Sequence, residues 1–241
     1  MSVGASLESD QHKGDETIMR RVALLAVFGS MLLVAFAGVA LAADIVCNGG
    51  LCVGTIRNDD ITGTDQRDRI FALGGFDEAS AGGGQDELNG GSSADTLQGN
   101  AGSDTYNGGD GNDWLNEGNT ADAGNDVMNG GGGTDYIQAN FGNDILRGQE
   151  GNDSESGRFF PSLFGEAGDD ELYGGDGEDG LRGNAGTDKH FGGRDNDFID
   201  AAANEAPLMN DAPDLVDCGS GYDTARVLPN DIVRDNCEEV I

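Results

Sequence analysis

Histidine is almost missing from this chain. Of 241 residues only His12 and His190 carry an imidazole. A zinc-protease helix needs two histidines around a glutamate at fixed spacing, and no His-Glu-x-x-His occurs. There is also no Gly-x-Ser-x-Gly nucleophile turn and no glycine loop followed by Gly-Lys-Ser/Thr. The chain is therefore read as non-enzymatic, with His190 as a poorly packed substitute at a core position. Basic residues are scarce as well. Thirteen Lys and Arg stand against 45 Asp and Glu, giving a formal charge of −32. Such a balance excludes nucleic acid as a partner and disfavours anionic membrane surfaces.

What is present is glycine and aspartate, and they are periodic. Aspartate falls every nine residues at Asp59, Asp68, Asp77, Asp86, Asp95, Asp104 and Asp113. The period resumes at Asp126, Asp135, Asp144 and Asp153, and again at Asp170, Asp179, Asp188 and Asp197. A fixed short period means one small unit stacked many times. With the aspartate written sixth, position four is glycine in most units, as at Gly75, Gly102, Gly133 and Gly177. Arg57, Gln66, Ser93 and Asp195 are the exceptions. Position eight is large and apolar in most, as at Ile61, Leu88, Tyr106, Met128 and Ile199, and Ala79, Glu155 and His190 break it. Glycines let six residues reverse the chain tightly. The last three residues of each unit then form a short strand whose eighth side chain points inward. Two nonamers make one coil of about eighteen residues, which stacks aspartates eighteen apart on one edge. Stacked carboxylates repel unless a cation lies between them. A hard divalent ion with six to eight oxygen ligands suits them, and calcium does so better than magnesium, which dehydrates reluctantly.

The nonamer resembles the RTX, or hemolysin-type calcium-binding, repeat over roughly Gly54–Asp200. Three units match it completely: Gly108–Asn116, Gly130–Gln138 and Gly174–Arg182. The resemblance implies an all-β fold, a right-handed parallel β-roll (solenoid) that binds several Ca2+ ions between adjacent coils. It implies as ligands Asp77, Asp86, Asp95, Asp104, Asp113, Asp126, Asp135, Asp144, Asp153, Asp170, Asp179, Asp188 and Asp197, together with turn carbonyls. Asp59 and Asp68 are set aside because Arg57 and Gln66 replace the position-four glycine. The chain is most similar to short stand-alone RTX-repeat proteins of actinobacterial type.

Arg20 and Arg21 precede the apolar run Val22–Val39 and then Ala40-Leu41-Ala42, the pattern of a secretory signal cleaved after Ala42. The alternative is a retained anchor, since the run is close to spanning length. Met19 is an alternative start. The expected organisation is residues 1–42 as extension and signal peptide, 43–53 as N-terminal cap, and 54–200 as the roll. Residues 201–241 form a C-terminal cap with degenerate units at Asp214 and Asp223, where calcium binding is doubtful. Insertions are expected near 117–121 and 157–164. Cys47, Cys52, Cys218 and Cys237 suggest two disulfides in an exported chain. Three pairings are open, and the local one joins Cys47 to Cys52 and Cys218 to Cys237. The expected protein is secreted or held at the cell surface, with calcium ions as partners. The alternative role is adhesion to a surface or matrix partner, with the aromatic insertion Phe159–Phe164 as the contact.

Overall fold

A computed structural model describes residues 42–118, 124–154, 161–202 and 212–241. The signal segment through Leu41, the centres of the first two insertions including Phe159 and Phe160, and residues 203–211 lie outside them. Among the described residues there is no helix. Twenty-one short strands alternate strictly between two sheets. The first, third and every later odd strand build a sheet of 11, and the even strands build a sheet of 10. Every strand pairing is parallel, and each strand's sheet neighbours lie one coil away. This is a β-solenoid of about ten turns, as the period requires.

The register repeats coil by coil. In one sheet Cys52 pairs with Ile70, Ile70 with Leu88, Leu88 with Tyr106 and Tyr106 with Met128. The column continues through Leu146, Leu172, His190, Val216 and Val233. Facing it stand Ile61, Ala79, Leu97, Leu115, Ile137, Leu163, Leu181, Ile199 and Ala225. These two ladders of position-eight side chains are the core, buried from Cys52 through Ala225. Because strand side chains alternate, positions seven and nine face outward and carry ion pairs such as Arg69–Glu87 and Lys189–Glu171.

The register corrects the sequence reading at the second insertion. Glu155, read as the position-eight residue of its unit, lies outside the described residues, and the ladder place between Ile137 and Leu181 is filled by Leu163, which is fully buried. The extra residues therefore lie before Leu163, and Leu163–Ala167 is a regular strand rather than part of an inserted loop. The degenerate units expected at Asp214 and Asp223 continue the same two sheets, with Leu215–Ser220 on Lys189–Arg194 and Thr224–Arg226 on Phe198–Asp200. At the other end, Asp44–Val46 and Gly50–Val53 are already the first strands of the two sheets. Both ends are stapled. Cys47 is bonded to Cys52 and Cys218 to Cys237, with Cα separations of 5.7 and 5.2 Å.

The turns show why glycine is needed. Position four takes φ of about +130° in many units, for example +129° at Gly102 and +143° at Gly168. A side chain is strained there, and a Cβ on Gly168 would overlap the Gly142 carbonyl of the neighbouring coil. Position two is also left-handed but less extreme. Asn100, Asn140 and Asn184 hold it at φ between 69° and 73°, a region asparagine tolerates.

Candidate metal centre

Position six opens each strand, two residues before the buried position eight. Strand alternation therefore turns the aspartate inward on the same face as the core residue. Eighteen residues later the next coil places another aspartate over it. The backbone N–H of each aspartate donates to Oδ1 of the aspartate one coil on. One edge runs through Asp59, Asp77, Asp95, Asp113, Asp135, Asp153, Asp179, Asp197 and Asp223. The other runs through Asp68, Asp86, Asp104, Asp126, Asp144, Asp170, Asp188 and Asp214. All these bonds measure 2.7–3.0 Å, and the insertions do not interrupt either column. At the C-terminal end Glu238 Oε2 and Asp231 Oδ1 accept the final N–H groups, from Asp223 and Asp214.

The second carboxylate oxygen is different. From Asp77 through Asp197, Oδ2 of every aspartate expected as a ligand is buried and has no hydrogen-bond partner. Asp223 shares this state. The oxygen lies against position one of its own unit, usually glycine. A Cβ at Gly108, Gly130, Gly148, Gly165, Gly174 or Gly183 would collide with it. A buried carboxylate left half-solvated must take a proton or a cation. Burial pushes Asp95, Asp135, Asp153 and Asp179 up to about 7, against the N–H bond that holds each down. Burial also raises Asp126 and Asp170 to about 8, with the neighbouring carboxylates adding to the effect. Asp197 reaches about 9 by burial and the nearby charges of Asp179, Asp223 and Asp195. Oxygen-only donors, negative, stacked and unpartnered, fit a hard divalent cation.

Asp59 and Asp68 stand apart, and threonine is the cause. The Thr55 N–H donates to Asp59 Oδ2 and its hydroxyl to Oδ1. The Thr64 N–H and hydroxyl both donate to Asp68 Oδ2, each at 2.8 Å. In these first two units threonine bonds the Oδ2 that is unpartnered in the later ones, while Asp68 Oδ1 stays buried without a partner. Asp214 and Asp223, doubted from sequence, are buried members of the columns.

Two contributors escaped the sequence reading. Glu117 stands at position one of the first interrupted turn, fully buried. Its Oε2 accepts from the Phe141 N–H and its Oε1 is unpartnered. Burial raises it to about 8, with Asp126, Asp144 and Asp104 adding to the effect. It is a second carboxylate beside that column, hidden in the sequence by a broken period. The other is an amide ladder at position five. Oδ1 of Asn58, Asn112, Asn125, Asn143, Asn152 and Asn196 accepts the N–H of position five on the next coil. The recurrence of asparagine just before the aspartate was its available signal.

The two polar residues at position eight differ. The Tyr106 hydroxyl accepts the Gly99 N–H at 3.0 Å. His190 is wholly buried, and burial lowers its pKa to about 4.

A family model described as the RTX calcium-binding nonapeptide repeat matches the chain in four copies, at residues 53–86, 80–115, 120–155 and 162–189. These copies cover more than half of the sequence. No curated protein matches it significantly.

Proposed function

The chain belongs to the RTX calcium-binding nonapeptide repeat family, and from that premise we propose an exported, non-enzymatic protein whose folding is coupled to calcium along both aspartate columns. The observation that carries this reading is the row of buried, unpartnered Oδ2 atoms from Asp77 to Asp197. Those thirteen aspartates are the proposed ligands. Their Oδ1 atoms are fixed by the ladder N–H groups, so each Oδ2 is oriented once its coil is formed. Bound calcium would supply positive charge and a demand for oxygen donors. The residues themselves do the rest: they orient the oxygens, exclude water and bring like charges together. Without compensation that arrangement opposes folding, so binding free energy becomes folding free energy. Affinity of roughly 10⁻⁴–10⁻³ M, as in other extracellular calcium modules, would leave the chain unfolded in a calcium-poor cytosol and folded outside. The two disulfides and the expected leader at residues 1–42 support secretion or surface display.

The test is far-UV circular dichroism during calcium titration, followed by chelator, with bound calcium counted in parallel. A coil-to-β transition reversed by chelator is expected. A β spectrum indifferent to both would remove the aspartate assignments.

A second reading, adhesion to a surface or matrix partner, has one supporting feature. Trp114, 53 % exposed, meets Tyr136 edge-on at 5.8 Å, and Tyr136 tilts onto Phe164 at 5.4 Å. Among the described residues of the aromatic insertion expected as the contact, Leu163 is core and Phe164 joins this strip. Replacing Trp114 and Tyr136 by alanine should abolish partner capture with calcium binding intact, and retained capture would discard this face.

A further inference from the structure

Position eight is apolar in nearly every coil because its side chain closes the core beside the position-six carboxylate. Tyr106 shows how far a longer side chain reaches. A Cβ on Gly99 would contact both the Tyr106 hydroxyl and Asp104 Oδ2, so a polar atom at position eight lies beside that oxygen. His190 occupies the equivalent place four coils further along the same ladder, on the same inward face as Asp188. It sits between Leu172 and Val216 in the core ladder, with zero exposure. The ring faces the Leu215 backbone, which holds its pKa up slightly against burial, but neither ring nitrogen makes a well-aligned hydrogen bond.

Among the described residues this is the single place where three potential ligand groups converge. A ring nitrogen of His190 and one carboxylate oxygen each from Asp188 and Asp214 lie within 4.8 Å of one another. Elsewhere the columns offer oxygen alone. The two carboxylates are also oriented in advance. Asp188 Oδ1 accepts the Asp170 N–H at 2.9 Å, and Asp214 Oδ1 accepts the Asp188 N–H at 2.7 Å. Asp188 Oδ2 is left without a partner. Outer hydrogen bonds of this kind fix ligands at metal sites.

The donor set decides the ion. Calcium takes oxygen ligands. Imidazole suits zinc, copper, nickel and iron, and zinc accepts histidine nitrogen with carboxylate oxygen in a four-coordinate shell. We propose that Asp188, His190 and Asp214 form a distinct transition-metal site, selective for zinc-like ions over calcium, inside the C-terminal half of the roll. The fourth position is left to a water or a backbone carbonyl. Here Asp188 would serve a nitrogen-containing site instead of an all-oxygen calcium site. One substitution in an otherwise repeated unit thus changes the metal that the coil takes. Such an ion would cross-link adjacent coils between the last insertion and the Cys218–Cys237 staple.

The test uses the full chain with saturating calcium, with zinc or cobalt(II) as the probe. One equivalent of cobalt should remain after desalting and show the visible absorption of a nitrogen- and oxygen-ligated ion. His190→Leu restores the residue type of the other coils. It should lose that equivalent while dichroism stays the same and calcium content does not fall. Cobalt uptake by His190→Leu equal to the parent's would overturn the proposal. If that variant does not fold, ¹⁵N-histidine labelling decides, because only His12 and His190 contribute signals. Zinc should shift one His190 ring nitrogen, and an unmoved pair sinks the site. Failure of the calcium reading appears separately, as dichroism insensitive to chelator.

Discussion

Removing calcium should make the roll stable only in acid, and the structure gives the size of the effect. Asp126 and Asp170 are each 1 % exposed, so solvent screens them little. Burial holds both at about 8, against 3.8 for a free side chain. The folded pKa is raised, so the cation-free roll retains a proton that the unfolded chain has released. The resulting penalty is absent below about pH 4, grows as pH rises, and is complete above the folded pKa. With each pH step worth about 1.4 kcal/mol, either residue costs roughly 6 kcal/mol at pH 8 and about 2 kcal/mol at pH 5. A whole domain is stable by only ~5–15 kcal/mol, so two such residues approach the entire margin. In chelator the chain should therefore lack β structure at pH 8 and gain it on titration to pH 5. Calcium should restore it at pH 8, and the calcium midpoint should rise as pH falls, because protons compete for Oδ2. Far-UV dichroism over a pH series, with and without chelator, reads both effects. Equal β content in chelator at pH 8 and pH 5 would refute the reasoning, since buried carboxylates could not then control the fold.

Other perturbations separate the parts of the design. Asp113→Asn keeps an acceptor for the Asp95 N–H but removes a charge; it should lower bound calcium while weakening the fold less than Asp113→Ala. The alanine variant strands a buried donor at a cost of about 1–3 kcal/mol, measurable by calcium-loaded urea melts. Gly168→Ala, at φ +143° against the Gly142 carbonyl, should cost several times the ~1 kcal/mol of an ordinary turn change and raise the calcium midpoint. Thr64→Val removes one of two bonds to Asp68 Oδ2. It should lower thermal stability by about 1 kcal/mol without changing calcium stoichiometry. Replacing Cys218 and Cys237, separated by 19 residues, should cost about 3 kcal/mol, and more than replacing Cys47 and Cys52, separated by 5. Denaturation at fixed calcium compares the two.

The nine-residue period alone determined the coil, the two parallel sheets, the apolar ladders and which aspartates stack. Each is a local consequence of glycine turns and strand alternation, repeated until it is unmistakable. Composition likewise determined that the stack is strongly anionic. Where the period was cut, sequence placed the next aspartate but not the end of the second insertion. Pairing across coils decided that Leu163 fills the core between Ile137 and Leu181, and that Asp214 and Asp223 join the columns, because only aligned coils bring a carboxylate to the preceding ladder N–H. Only tertiary structure separated the two oxygens of each carboxylate, one spent on a neighbour's amide and the other buried without a partner. It gave a further reason to set Asp59 and Asp68 apart, since Thr55 and Thr64 bond their carboxylates from within the chain. It also brought His190 against Asp188 and Asp214, since residues 24 apart in sequence meet only when coils stack. Ligand chemistry is set by such convergence in space, which a one-dimensional repeat records only where it never breaks.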